Sequence, residues 1–480
     1  MHIFFYKTRL LWLVIPLLSG CSANSFSDLF SNYSQQMNGV KQAQQQGSFQ
    51  QAISLLPTRS PNNGSYNLGL LEKARLEYLA NNNKQSRQDF EQAYGLVQQN
   101  QQGAKIELSR GIENIAAVMS NDNAIRYDIP LYEQSMLNSY QALNYLAQQD
   151  LSGALVEVRR ANQVQERALK ANASSIDATK KSIADEKFSM DSLSQQYPSM
   201  NSAIGKVKNG FQNAYTFYLS ALLYEAGNQK NDAYIDYKKA LEIYPDNHYL
   251  QQDVWRLANT LQMTNDISLF RESLARKITS KRVSASDSDS NQGEVVIIIE
   301  NGIVGAKQEV SLSLPIYTRH NDMRLYSVAL PRYQNQLTVY PPLTLTYQGK
   351  SYQAEEIVRL QSLAAKQLQD ELPIIVTRQI TRLIAKEEIR QTLVKKGGDI
   401  GNIFANLYNI ATEKADTRSW STLPDSIHIL RLNLSTGTHT LNLHINGVSQ
   451  PIEVSINQNK QTLVTLNTIG TYVGHNIFNL

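Results

Sequence analysis

Seven residues near the middle of the chain constrain its fold more than any other feature. Phe217, Ala221, Tyr224, Ala233, Tyr237, Ala240 and Pro245 keep the spacings of a 34-residue pair of antiparallel helices. The rule behind the spacing is packing: small Ala221 and Ala233 let two helices approach, aromatic Tyr224 and Tyr237 fill the space around that contact, and Pro245 stops the second helix. Weaker copies follow the same offsets, with Ala74, Ser86, Phe90 and Ala93 in one, Ala142, Tyr145, Ala154, Val158 and Ala161 in another, and Ala52 in a fragment. Ala52 and Ser86 lie one period apart and Ser86 and Ala154 two, while the slot between falls at Ser120 in an irregular stretch. A second interruption runs from Ala171 to Thr216. Apolar residues three and four apart extend the helical pattern over 34–279.

Hairpins of this kind bury their cores only by stacking, and the stack leaves an extended concave surface that commonly holds a peptide or a partner's helix. The same surface can instead serve a rigid rod. In the best repeat the groove-lining positions are expected to be Tyr215, Tyr218 and Glu225. Two exposed tyrosines there would anchor a partner; packed against the neighbouring insertion, they would be core. Arg159 and Arg160 face a similar choice between solvated helix charges and an anionic contact.

Between 280 and 293 the sequence SKRVSASDSDSNQG offers little to bury and marks a linker. Beyond it the hydrophobic period changes to two. Segments 295–299, 310–316, 325–330, 336–340, 343–347 and 353–360 read as strands, followed by a helical insertion at about 361–415 and further strands at 427–433, 438–445, 450–456 and 462–466. Within the insertion Val376, Ile380, Leu383 and Ile384 form one apolar stripe, read as core. The fold class expected is α+β: an N-terminal all-α repeat domain, then an antiparallel β-sandwich-like domain over 294–480 carrying the insertion.

At the amino terminus Lys7 and Arg9 precede an apolar run from Leu10 to Leu18, and Ser19-Gly20-Cys21 follows. The run is about half of the roughly 20 apolar residues that span a bilayer, so it reads as a secretory leader over 1–20. Cys21 is the only cysteine, so an intrachain disulfide is impossible. Acylation of Cys21 accounts for its presence and its solitude, and places a lipidated tether at 21–33. Ser22 after the cysteine favours the outer membrane, facing the periplasm.

Loss of Lys7 and Arg9 with the leader lowers the net charge from +4 to +2, which gives no argument for nucleic acid. The glutamine-rich stretches at 42–51 and 98–102 read as polar helix faces and turns. There is no G-x-S-x-G elbow, no phosphate loop and no H-E-x-x-H, and acylation would remove the one thiol from catalysis. His439 and His444 stand five apart in one expected strand, on opposite faces, and so share no metal. Glu355-Glu356 and Glu387-Glu388 read as solvated charges. No cofactor, metal or catalytic residue is assigned.

SYQALNYL at 139–146 running into GALVEVRRAN at 153–162, NDAYIDYKKALEIYPDN at 231–247 and ADTRSWSTLPDSI at 415–427 together resemble a family of Gram-negative bacterial lipoproteins with tetratricopeptide-like repeats and a C-terminal ADTRSW-containing domain. The resemblance covers most of the mature chain and implies architecture and location rather than a mechanism. Such lipoproteins are considered alongside activators of peptidoglycan synthases. For Arg418 and Trp420 two readings stand: Arg418 pairs with Asp416 or a strand carbonyl while Trp420 plugs the sandwich, or the two form a recognition patch.

The function expected is a non-enzymatic, lipid-anchored envelope scaffold that binds a protein partner through its repeats. The rivals are an accessory factor of a cell-wall synthase or secretion or transport complex, and a cell-wall glycan binder or hydrolase.

Overall fold

The computed structural model describes residues 32–110, 125–184, 196–268, 291–317, 323–384, 414–445 and 447–480. The leader, Cys21, Ser120, Glu387-Glu388 and most of the 280–293 linker lie outside the described residues.

Among the described residues the first half carries the helices α1 (Tyr33–Gln36), α2 (Asn38–Gln45), α3 (Phe49–Ser54), α4 (Tyr66–Leu79), α5 (Asn83–Arg110), α6 (Leu131–Leu146), α7 (Leu151–Ala184), α8 (Asn201–Ile204), α9 (Ala214–Ala226), α10 (Lys230–Ile243) and α11 (His248–Thr260). The repeat spacings become contacts. α4 pairs with α5, α6 with α7, and α9 with α10, and Ala74, Phe90, Ala93, Ala142, Ala154, Val158, Ala161, Phe217, Ala221, Tyr224, Ala233, Tyr237 and Ala240 are buried. Ser86, in an alanine slot, is also buried, and its hydroxyl donates to the Ala74 carbonyl at 2.8 Å. Gly153 holds the α6–α7 corner, because a Cβ there would lie 2.3 Å from the Tyr145 ring. The Asn213 and Asn247 side chains accept from Tyr215 N and Leu250 N, which starts α9 and α11, and Pro245 follows the end of α10.

The second half carries β1 (Gln292–Asn301), β2 (Gln308–Tyr317), β3 (Met323–Arg332), β4 (Thr344–Tyr347), β5 (Lys350–Gln353), β6 (Glu355–Arg359), a helix α12 over 360–384, β7 (Ser426–Ser435), β8 (Gly437–Ile445), β9 (Val448–Ile456), β10 (Gln461–Ile469) and β11 (Tyr472–Asn479). They form a five-stranded sheet in the order β11-β10-β1-β7-β6, a four-stranded sheet in the order β5-β4-β8-β9 and a separate β2-β3 ribbon. The large sheet is mixed, since β1 and β10 run parallel, where an antiparallel arrangement was expected. Two other expectations are corrected. Residues 336–340 are not a strand: Val339 is 91% exposed and the segment leads into Pro341-Pro342, which lack the N–H groups a ladder needs. β11 closes the sheet edge at 472–479, where no strand was expected.

Alternation along β1 explains the architecture. Glu294, Val296, Ile298 and Glu300 point to one face and Val295, Ile297 and Ile299 to the other, and all but Glu294 are buried. The first face meets the helices, through Glu300 with Arg75 of α4 and Glu294 with Arg256 of α11, and Glu294 also pairs with Arg431 on the neighbouring strand β7. The second meets the four-stranded sheet, where Leu441, Leu443, Ile445, Ile452, Val454 and Ile456 are buried at alternate positions. Gly293 permits the close approach of the sheets, because a Cβ there would lie 2.8 Å from the Ile456 side chain and 2.3 Å from the Asn457 carbonyl. The molecule is therefore three layers deep, and one continuous buried core runs from Tyr33 in α1 to Phe478 in β11. A second, smaller core joins the β2-β3 ribbon to α12 through Leu312, Val328, Leu330, Val376, Ile380 and Leu383, so the apolar stripe of the insertion is core as expected.

Candidate functional site

In a stack of helical hairpins the first helix of each pair lines the concave face, and here those helices are α4, α6, α9 and α11. All four turn that face toward the five-stranded sheet or the segment beside it. From α4, Arg75 is ion-paired to Glu300 and donates to Asn467 Oδ1 at 3.1 Å, with its guanidinium 4.4 Å from the centre of the Tyr140 ring. From α6, Tyr140 donates to Glu300 Oε1 at 2.7 Å. From α11, Asp253 accepts from Arg431 of β7 at 2.8 Å. The groove that would hold a partner is filled by the chain's own second half.

The ADTRSW segment occupies the same groove. Residues 415–425 have no helix or strand, yet nearly all are buried, so their main-chain N–H groups need partners other than water. Two helix carboxylates supply them. Glu133 of α6 accepts from Trp420 N at 3.0 Å, and Glu72 of α4 accepts from Ser421 N at 2.7 Å and Thr422 N at 3.0 Å. Gln44 of α2 donates to the Thr422 carbonyl at 3.0 Å. Hydroxyl groups complete both carboxylates: Tyr33 and Ser421 Oγ on Glu72, Tyr127 and Tyr132 on Glu133. Burial pushes both carboxyls up, Glu133 to about 7, because these neutral donors only partly replace the lost hydration.

Trp420 and Arg418 now have defined roles. The Trp420 ring is 1% exposed and packs against Phe90 of α5 and Tyr140 of α6, with ring centres 5.8 and 5.9 Å apart. It plugs the helical stack, which corrects the expectation that it fills the sandwich. Arg418 pairs with Asp416 at 2.7 Å and donates to the Ile125 carbonyl at 2.7 Å, a loop carbonyl of the helical half rather than a strand carbonyl. At 4% exposure it offers no recognition patch.

At the far end of the groove a charge network does the joining. Arg431 of β7, buried, reaches Asp253, Glu225, Glu294 and the Tyr237 hydroxyl, and Arg256 donates to Glu225 Oε2 at 2.9 Å. Burial alone would raise the Glu225 carboxyl, but Arg431 and Arg256 outweigh it and hold it down at about 2. Glu355 and Glu356, expected to be solvated, tie β6 to the helices: Glu355 accepts from His248 N at 2.7 Å and Glu356 from the Tyr244 hydroxyl at 3.1 Å.

The groove-lining expectation is thus corrected residue by residue. Tyr215 and Tyr218 are fully buried, with the Tyr218 ring edge-on to Tyr237 at 5.5 Å, so neither anchors an incoming partner. Glu225 is spent on Arg256 and Arg431. Arg159 stays exposed on α7, where it donates to Gln229 at 3.0 Å, and Arg160, half-buried, pairs with Glu157 at 2.7 Å. His439 donates to or accepts from Tyr347 and His444 from Thr346, on opposite faces of β8. Among the described residues no group of three or more His, Cys, Asp or Glu could hold a metal ion.

Glu72 and Glu133 were not read as functional from the sequence. The available signal was their setting, NLGLLEKARLEYL and PLYEQSML, where a carboxylate sits in a helix apolar on nearly every side and must find an internal partner.

No family model matches the chain, and no curated protein matches it. Similar solved structures include two crystal structures of MamA, at 10% and 9% identity, covering 50% and 52% of this chain and 95% and 96% of theirs, each with a TM-score of 0.27. Another is the TPR2AB domain of yeast Sti1 in complex with pHSP90, at 12% identity, covering 51% of this chain and 89% of that one, with a TM-score of 0.18. The repeat assignment rests on the packing described above. The class of protein this defines is a mixed helix-and-sheet chain whose tetratricopeptide-like stack clasps its own sheet.

Proposed function

We propose that the protein is a lipid-anchored scaffold of the Gram-negative envelope, held through acyl chains on Cys21, that engages a protein partner with the outer surface of its helical stack rather than with the groove. The observation that carries this reading is a mismatch of helix lengths. α5 and α7 have 28 and 34 residues, whereas α6 between them has 16. At about 1.5 Å per residue α7 exceeds α6 by about 27 Å, so the long pair projects as an arm that the stack itself does not require. Arg159 and Arg160, in the part of α7 that still packs on α6 below that arm, are the expected partner-binding residues that remain accessible. The amino-terminal motif supports the anchor, and among the described residues no helix is long and apolar enough to cross a membrane.

Photo-cross-linking from intact cells tests the partner surface. A cross-linker in place of Arg159 should capture a defined protein, and one in place of Tyr218 should capture none; the reverse pattern would overturn the reading. Co-purification in fixed stoichiometry with a cell-wall synthase or a transport complex would sharpen it to an accessory factor. For the anchor, Cys21→Ser should release the protein from the membrane fraction, and retention of the variant there would refute it.

A further inference from the structure

The outermost strand of a sheet presents unpaired N–H and C=O groups, and stable proteins blunt such edges with prolines, charges, bulges or a cover. Among the described residues every edge but one is blunted. β6 carries Glu355, Glu356 and Arg359, has a bulge between Glu356 and Val358, and gives the Glu356 carbonyl to Asn247 at 3.1 Å. β5 is short, carries Lys350 and gives the Gln353 carbonyl to the Tyr249 hydroxyl at 2.8 Å. β9 contains Pro451 and Glu453, β2 contains Glu309 and Pro315, and β3 contains Pro331 and Arg332. β11, with the sequence YVGHNIFN, has no proline, no Asp, Glu, Lys or Arg, and no bulge against β10.

The ladder with β10 fixes which groups of β11 face outward. Leu480 N donates to Gln461 O at 2.9 Å, so the even-numbered residues bond to β10. By the alternation of an antiparallel pair, Val473, His475, Ile477 and Asn479 turn their N–H and C=O groups to the open side. None of these main-chain groups has a partner among the described residues. Side-chain burial agrees: β10 is buried over 462–469, whereas in β11 only Phe478 is buried and His475 and Asn479 are exposed. The open strand is nonetheless held in place, with the Tyr472 ring edge-on to Phe49 of α3 at 5.0 Å.

We propose that this edge pairs with the same edge of a second copy of the chain, antiparallel about a two-fold axis at His475. The chemistry of the strand is symmetric about that residue. Tyr472 stands opposite Phe478, Val473 opposite Ile477, Gly474 opposite Asn476, and His475 opposite itself. Aromatic and β-branched pairs of this kind are favourable cross-strand neighbours, and a strand without ionised residues sets no like charges against each other when it pairs with itself. The hydrogen bonds fit the same register. A two-fold axis normal to the sheet pairs residues of the same face, and the pairs it bonds, Val473 with Ile477 and His475 with His475, are those whose main-chain groups face outward. An extended segment of another protein would find the same main-chain groups but would make no use of the symmetry of 472–478. The product is an isologous dimer in which the two five-stranded sheets become continuous, and it stands independently of the anchor and of the partner surface proposed above.

Photo-cross-linking of the full-length protein in intact cells tests it. A cross-linker in place of Asn479, which the register sets beside Thr471 of the second copy, should give a product of twice the chain mass, joined to the start of the other copy's β11 as read by mass spectrometry. One in place of Lys350 on β5 should give no such product. His475→Pro removes an outward N–H and leaves the bonds to β10 in place, which an edge strand accepts, and should weaken the product at least tenfold at a nearly unchanged melting temperature. His475→Lys, at an exposed position, sets two ammonium groups against each other across the axis and should do the same. No product from Asn479, a product joined to a different protein or to another part of the second copy, or a product that persists in both variants would each overturn the proposal.

Discussion

The two ends of the groove solve the same problem with opposite electrostatics. At the α9–α11 end, the nearly buried Arg431 and the half-buried Arg256 stand among Glu225, Asp253 and Glu294, and the cations hold the Glu225 and Glu294 carboxyls down, although burial still raises Asp253. At the α4–α6 end, Glu72 and Glu133 receive main-chain N–H groups and hydroxyls, all neutral, and burial pushes both carboxyls up. One end is held by ion pairs that acid breaks. The other is held by carboxyls that give up their protons reluctantly.

The largest effect should come from the charged end. Arg431→Met leaves buried carboxylates without their cation, and removing one member of such a network costs about 3–5 kcal/mol, to be read by chemical denaturation at pH 7. A loss below about 1 kcal/mol would mean that the network merely accompanies the contact.

Trp420→Ala tests the neutral end by packing. The ring is nearly fully buried between Phe90 and Tyr140, so its loss should cost about 3–5 kcal/mol. A recognition residue would instead lose partner capture at unchanged stability.

The pH profile separates the ends. Glu133 keeps its proton up to about 7 when folded, against 4.5 when unfolded, so between those values the folded state binds more protons and stability falls as pH rises. The full shift corresponds to about 3 kcal/mol, and Glu157, pushed up to about 7 mainly by burial, adds in the same direction. Glu225 acts oppositely: its carboxyl is held down at about 2, so the stability it contributes is present above pH 4.5 and lost as pH falls toward 2. Maximum stability should therefore lie near pH 5. Glu133→Gln, which mimics the protonated side chain, should flatten the decline between pH 5 and 7 while leaving the acid limb alone. An unchanged profile would remove Glu133 from the account.

The smallest effect is expected at Tyr218→Phe. The hydroxyl is buried with no hydrogen-bond partner, so deleting it should change stability by less than about 1 kcal/mol, in either direction. A larger loss would reveal a bond that stabilises the hydroxyl.

What was legible in the sequence follows the range of the interaction. Ala221, Tyr224, Ala233 and Tyr237 pack within one hairpin, so their spacing reports directly on their neighbours. Trp420 and Glu133 meet across 287 positions of sequence, and Thr422 and Glu72 across 350, a separation at which no periodicity survives. Tyr215 and Tyr218 were misread for the same reason: their positions on the concave face are as the repeat requires, but what covers that face comes from another part of the chain. One clue was available. The run VVIII at 295–299 is apolar without alternation, and a strand of that kind is covered on both faces, so a second layer had to lie over the sheet.

Hydrogen exchange of the full-length protein at pH 7 tests the closed groove most directly. The amides of Trp420, Ser421 and Thr422 should exchange no faster than those in the middle of α9, with the same free energy of opening, because segment and stack unfold together. Exchange of these three amides orders of magnitude faster than α9 would instead show a detachable occupant of an open groove, and would contradict the single clasped body described above.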